Sequence, residues 1–264
     1  MTHFVWDPNP VLLDLGPLQL RWYGLLFTAG FIIGYYLMAW MYRRENRDVK
    51  QLDRLLIYMF IGAVVGARLG HILFYEPGYY FSNPIEILKI WKGGLASHGG
   101  TVGMLLACYF FLKHTRDPYL YFLDRLSIPI ALGSMSIRLG NFFNSEILGK
   151  LTDSPFGIIF KQVSNQPQHP AQLYEAGAYL FTFLLLLFLY KRYAGRLANG
   201  FMIGTMFVSI FGFRFLIEFV KQEQADYTLG VALNVGHILS IPFIILGLGF
   251  IYISYRNTVK GRLS

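Results

Sequence analysis

The sequence predicts an all-α membrane protein, a polytopic bundle of about seven transmembrane helices with a small external cap between the fourth and fifth. Three observations predict it. Of 264 residues, 55% are hydrophobic and 17% aromatic, with a mean hydropathy of +0.44. Only 14% are charged, against roughly a quarter in an ordinary soluble domain. Apolar windows of the ~20 residues needed to cross hydrocarbon recur at 18–41, 54–75, 95–113, 121–140, 172–193, 200–220 and 234–255. The connections between them are basic on every second crossing.

Taken in order, the segment "MTHFVWDPNPVLLDLGP" lacks the basic start, apolar core and small-residue cleavage site of a signal peptide, so the first span is expected to be retained. That span opens with Tyr23 and is followed by Arg43, Arg44, Arg47, Lys50 and Arg54. The second ends in "GARLGH", with Arg68 and His71. The third is entered through "GGLASHGG" at 93–100 and contains the single cysteine, Cys108. One cysteine excludes an internal disulfide and a CxxC motif, and a small buried core residue is the expected role. Lys113, Arg116 and Arg125 follow. The fourth span ends at Arg138 and Asn141, where the longest connection begins. Rich in Asn, Ser, Pro and Gly, residues 141–171 are long enough for a folded cap. "HPAQLYEAG" then re-enters the membrane with a proline at a helix start. Lys191, Arg192 and Arg196 follow the fifth span, Arg214 and Glu218 lie in the sixth, and Asn234 and His237 open the seventh. Arg256, Lys260 and Arg262 follow the last. The chain shows no internal repeat and is read as one membrane domain over 1–264.

Most of the 23 Lys and Arg therefore fall after the odd-numbered spans, whereas the other connections hold only Lys89, Lys92, Lys150, Lys161 and Lys221. The positive-inside rule puts the N-terminus outside and the C-terminus in the cytoplasm. Basic cytoplasmic loops facing anionic lipid account for the net charge of +8 without a nucleic-acid partner. With this orientation the polar residues within spans, Tyr23, Arg68, His71, His98, Arg138, Asn141, Glu175, Arg214 and Glu218, converge on one leaflet, the outer one.

An arginine inside a span costs at least ~2.5–3.5 kcal/mol on insertion scales and so faces a protein interior or wet cavity. Arg214 and Glu218, four apart on one helical face, are expected to form an internal ion pair. Arg68 has no acid at helical spacing, and a structural clamp and a ligand contact are equally open for it. Arg138 in "SIRLGNFFNSEILGK" is followed closely by Asn141, Asn144 and Glu146. The alternative to simple snorkelling is that this planar guanidinium takes two phosphate oxygens while the amides hold ester or hydroxyl groups. His98 stands among Gly93, Gly94, Gly99, Gly100 and Gly103, where absent side chains let backbone or ligand approach. Imidazole exchanges a proton near neutral pH, so His98 is either a polar anchor or a base beside a bulky substrate. The six histidines show no paired helical spacing such as HxxxH, and neither metal nor cofactor is expected.

These residues resemble the bacterial prolipoprotein diacylglyceryl transferases. The blocks run in order through most of the chain: "RWYG" at 21–24, "GARLGH" at 66–71, "GGLASHGG" at 93–100, "RLGNFFNSEILG" at 138–149, "HPAQLYEA" at 169–176, "FRFLIEF" at 213–219 and "GHILSIP" at 236–242. The resemblance implies a multi-pass enzyme of the bacterial cytoplasmic membrane. Such enzymes move a diacylglyceryl group from phosphatidylglycerol to the lipobox cysteine of a prolipoprotein, and release glycerol phosphate. By position it makes His98 the essential histidine and Arg138 the signature arginine, with Arg214 beside them in catalysis. It places Tyr23, Arg68, Gly99, Gly100, Asn141, Glu146, Gly149 and Glu218 in substrate binding. Two positions depart from the pattern: Ile210 stands where tyrosine is expected, and His237 replaces a glutamine. The residues also leave open a transporter, which would line a route through both leaflets. A passive lipid-binding protein, with no need of the imidazole, is the third reading.

Overall fold

The computed structural model describes residues 3–16, 19–90, 94, 96–115, 117–193, 198–222 and 234–263. Leu18 and Leu95, which open the first and third predicted windows, lie outside the described residues, as do Lys92, Gly93, Arg116 and Arg196. Long helices occupy all seven windows: α1 (Trp22–Arg44), α2 (Lys50–Phe74), α4 (Ser97–Thr115), α5 (Tyr119–Phe143), α6 (Ala171–Tyr193), α7 (Phe201–Ile217) and α8 (Val235–Leu263). A short α3 (Pro77–Ser82) follows α2. Among the described residues five stretches are long and apolar enough to cross a membrane: Trp22–Arg44, Lys50–Phe74, Ala171–Tyr193, Phe201–Val220 and Val235–Val259. Phe31, Phe60, Phe110, Phe188 and Ile245 remain exposed, which hydrocarbon tolerates because lipid tails are as apolar as these side chains. The fold is thus an all-α polytopic bundle. It forms two compact units, residues 1–38 with 123–264, and residues 39–122.

In the first unit small residues set how closely helices approach. On α1 a side chain at Gly34 would come within 3.1 Å of Pro129, and one at Gly30 within 3.1 Å of Ser136. The Tyr23 ring covers Gly140 near the end of α5. Gly204 of α7 and Gly247 of α8 meet backbone to backbone, and Thr182 Oγ1 lies 2.7 Å from Ser209 Oγ between α6 and α7. Buried Asp124 accepts hydrogen bonds from the amides of Gly200 and Ile203 at 2.8 and 2.9 Å, capping the positive end of α7.

The predicted cap contains a sheet that the all-α reading did not anticipate. Strand β1 (Phe4–Trp6) pairs in parallel with β4 (Ile158–Phe160), which pairs antiparallel with β5 (Pro167–Gln168). β2 (Val11–Asp14) and β3 (Gln19–Arg21) form a separate hairpin leading into α1. Trp6 stacks on Phe142 and its indole N–H donates to the Phe142 carbonyl at 3.0 Å, so the strand is fastened to the end of α5.

In the second unit α2 and α4 pack along a stripe of glycines four apart, Gly62, Gly66 and Gly70, against Gly99 and Gly103. A side chain at Gly62 would lie 2.5 Å from the Gly103 carbonyl, and one at Gly70 2.8 Å from Gly99 Cα. Such small-residue seams let membrane helices approach closely enough for dispersion contacts to hold them. Replacing Gly66 with leucine is therefore expected to cost about 1–3 kcal/mol or more by overpacking. Thermal unfolding in detergent should show a midpoint several degrees lower. Gly249→Leu, which meets nothing within 4 Å, should leave the midpoint unchanged.

Candidate active site

The last turns of α5 carry Arg138 and Asn141 on one face, and the chain beyond them folds back. The Glu146 amide donates to the Asn141 carbonyl at 2.9 Å, while Ser145 and Ile147 on either side adopt φ of 53° and 57°. A left-handed β-branched residue is a strained conformation that persists only where its surroundings impose it. Here two hydrogen bonds to Glu146 hold the turn: Asn141 Nδ2 donates at 3.2 Å and Asn144 Nδ2 at 3.0 Å. Buried Gln172 donates to the Glu146 carbonyl at 2.5 Å, tying this turn to the start of α6.

Arg138 Nη1 lies 3.5 Å from Asn141 Oδ1, and its Nε is 3.0 Å from Oε2 of Glu175 on α6. The Glu175 side chain is fully buried and Arg138 keeps 13% exposure. The other Glu175 oxygen is 3.4 Å from Nζ of Lys221, which is 3% exposed and lies 3.6 Å from Glu218. The Tyr179 phenol, one turn along α6 from Glu175, is within electrostatic reach of both Arg138 and Arg214. Lys221 and Tyr179 are not among the site residues singled out in the sequence, and Glu175 is there only as one of the polar groups converging on the outer leaflet. Lys221 has a sequence signal, a lysine three residues after an acid at the end of an apolar span.

The expected Arg214–Glu218 pair does not form. α7 ends at Ile217 and the chain tightens into a 3-10 turn over Glu218–Val220. In that turn side chains three apart eclipse, which turns Glu218 toward Lys221 instead of back toward Arg214. Among the described residues the half-buried Arg214 guanidinium has no hydrogen bond or ion pair. Glu218 is roofed by α8, where a side chain at Gly236 would collide with its carboxylate.

Gly149 fixes the height of Lys221. Its amide donates to the His169 carbonyl at 2.9 Å, and the neighbouring Lys150 amide donates to Val220 at 2.8 Å. A side chain at Gly149 would lie 2.5 Å from His169 Cβ and 2.8 Å from the Val220 carbonyl, so only glycine fits between the two strands of chain. Of the two departures, His237 is buried at the start of α8, where its Nδ1 lies 2.8 Å from Asn234 Oδ1 and its ring packs against Phe215 and Phe219. Ile210 is buried in α7.

The second unit holds the remaining predicted residues. Buried Arg68 donates from Nε to the Ile87 carbonyl at 2.9 Å, from Nη1 to Gly94 at 3.1 Å and from Nη2 to Glu86, and its guanidinium lies over the Tyr80 ring. It clamps the connection between α2 and α4. Gly94, with φ of 71°, packs directly against Arg68 and His71. Gly99 serves the approach of α2, and a side chain at Gly100 would lie 3.3 Å from the Ala63 carbonyl. Three of the glycines around His98, Gly99, Gly100 and Gly103, thus answer to helix packing. His98 itself, in the first turn of α4, is exposed and makes no hydrogen bond among the described residues.

A family profile described as prolipoprotein diacylglyceryl transferase matches residues 10–253. A protein of Tolumonas auensis named phosphatidylglycerol–prolipoprotein diacylglyceryl transferase is 48% identical over 97% of this chain and 99% of its own. Proteins of the same name from Chloroherpeton thalassium and Bacteroides fragilis are 44% and 42% identical, over 100% and 94% of this chain and 98% and 94% of their own. With this match spanning both units and all seven long helices, the chain belongs to the prolipoprotein diacylglyceryl transferase family.

Proposed function

We propose that this chain transfers the diacylglyceryl group of phosphatidylglycerol to the lipobox cysteine thiol of a prolipoprotein, the first step of bacterial lipoprotein maturation. The observation that carries the reading is the charge balance of the buried cluster. Arg138 and Lys221 pair with the buried carboxylates of Glu175 and Glu218, while Arg214, within electrostatic reach of the same Tyr179 phenol as Arg138, has no ion pair among the described residues. The Arg214 guanidinium is thus left without a paired carboxylate, a positive charge that a phosphate diester neutralises.

In this mechanism the thiol S–H gives its proton to His98, because thiolate and not thiol is the nucleophile. The sulfur attacks the glycerol carbon bearing the phosphate, a C–S bond forms, and the C–O bond to phosphate breaks. The electron pair leaves on glycerol phosphate, whose charge Arg138 and Arg214 stabilise as it develops. Asn141 and Glu146 hold head-group hydroxyls, with Tyr23 beside them. Glu175 and Lys221 fix the guanidinium, Arg68 orders its connection, and Gly99, Gly100, Gly149 and Glu218 shape the two helix ends. The reaction needs no cofactor or metal.

The basic loops support a place in the bacterial inner membrane with the N-terminus external, the C-terminus cytoplasmic and the site toward the outer leaflet. A prolipoprotein cysteine that has just crossed behind its signal peptide arrives on that side. The test is glycerol phosphate release by the detergent-purified chain supplied with phosphatidylglycerol and a lipobox peptide. Release is expected with the cysteine peptide and not with its serine counterpart. Release independent of the cysteine, or none from folded protein, sinks the reading.

A further inference from the structure

We infer that the α2–α4 pair carries a binding site for a second anionic phospholipid, at the end of the pair away from Arg68 and His98. The site has a polar head and an apolar tail on one continuous face. The head is a cavity of about 360 Å³ lined by Gln51, Arg54 and Tyr58 of α2 and by Phe111, His114 and Thr115 of α4. No carboxylate lines it. Arg54 forms no ion pair and no hydrogen bond among the described residues, and the buried Oε1 of Gln51 has no donor. An anionic phosphate on Arg54 and His114, with a head-group hydroxyl donating to Gln51, satisfies all three.

Tyr58 also opens the tail, an apolar groove of about 510 Å³ running past Ile61, Val65 and Leu69 and floored by Gly62, Gly66 and Gly103. The same glycines that bring the helices together leave this furrow unfilled. From Tyr58 to Leu69 the groove runs on the order of 16 Å at ~1.5 Å per residue, which matches one leaflet of a ~30 Å hydrocarbon core. An acyl chain attached to a phosphate in the Arg54 cavity therefore lies in the groove along its length. Charge complementarity selects an anionic over a zwitterionic lipid, and the unpartnered Gln51 acceptor selects a hydroxylated head group such as that of phosphatidylglycerol. The leaflet is the one bordered by Arg43, Arg44, Arg47 and Lys50, the cytoplasmic one if the topology proposed above holds.

Native mass spectrometry of the full chain, extracted in mild detergent and exchanged into phosphatidylglycerol or phosphatidylcholine, tests the site. The unmodified chain is expected to retain one more phosphatidylglycerol than the Arg54→Ala/His114→Ala variant, with no such difference in phosphatidylcholine. Leu106→Trp, at the exposed rim of the groove, should lose the same lipid. Equal phosphatidylglycerol counts in all three chains, or an equal loss of phosphatidylcholine, overturn the inference. Transfer activity of these variants in phosphatidylglycerol micelles should match the unmodified chain. If none of them transfers while the lipid count still drops, the enzymatic reading fails and the lipid site stands.

Discussion

Arg138→Ala is expected to slow diacylglyceryl transfer about 10²–10³-fold, the loss that follows removal of one donor aimed at a developing charge. Two consequences should be separable. The first is chemical, since the guanidinium is proposed to meet the phosphate oxygens of the leaving group. The second is structural: without Arg138, Glu175 at 0% exposure keeps Lys221, 3.4 Å away, as its one paired cation among the described residues. Breaking a buried pair costs on the order of 3–5 kcal/mol because one charge is left uncompensated. Arg138→Lys restores a cation but not the planar two-pronged donor. Its thermal midpoint should recover toward the unmodified chain while its rate stays low. Full recovery of rate in Arg138→Lys would show that Arg138 acts only as the counter-ion of Glu175.

His98→Gln is expected to lower the rate by about 10²–10⁴-fold, the usual contribution of a positioned general base. Glutamine keeps polarity and much of the size at this exposed first turn of α4, so the fold should not change. The pH dependence separates a base from an anchor. With His98 present, transfer does not wait for the peptide thiol to ionise in solution. In the variant, the rate should climb with pH in step with ionisation of the peptide thiol and approach the unmodified chain at alkaline pH. A loss that is constant across pH would make His98 a positioning group.

How much of this was legible in the sequence depended on distance along the chain. The helices were readable because each apolar window is a local property, and all seven windows hold one. The Arg138–Asn141–Glu146 turn was readable because its three groups lie within nine residues. The left-handed backbone of Ser145 and Ile147 in that turn carries no residue-type signal, since neither is glycine or asparagine. Lys221 and Glu175 are 46 residues apart and meet only through the fold. The Arg214–Glu218 pairing failed because it assumed that α7 continues, whereas the helix ends one residue before Glu218. β1 was invisible for a similar reason, being three residues long with a partner at 158–160. The glycine seam of α2 and α4 is absent from the sequence reading, because nothing local says which helix Gly62, Gly66 and Gly70 face, and the glycines around His98 read as room for backbone or ligand.

The reaction proposed for this chain transfers carbon to sulfur and expels an intact glycerol phosphate. Its most direct test is the mass of a lipobox peptide after incubation with the purified chain and phosphatidylglycerol deuterated in its acyl chains. The peptide is expected to gain one deuterated diacylglyceryl group in place of the thiol hydrogen, stable to alkaline hydroxylamine at the sulfur, with one glycerol phosphate released per peptide. An unmodified peptide beside hydrolysed lipid, or a peptide carrying only an acyl group, would contradict it.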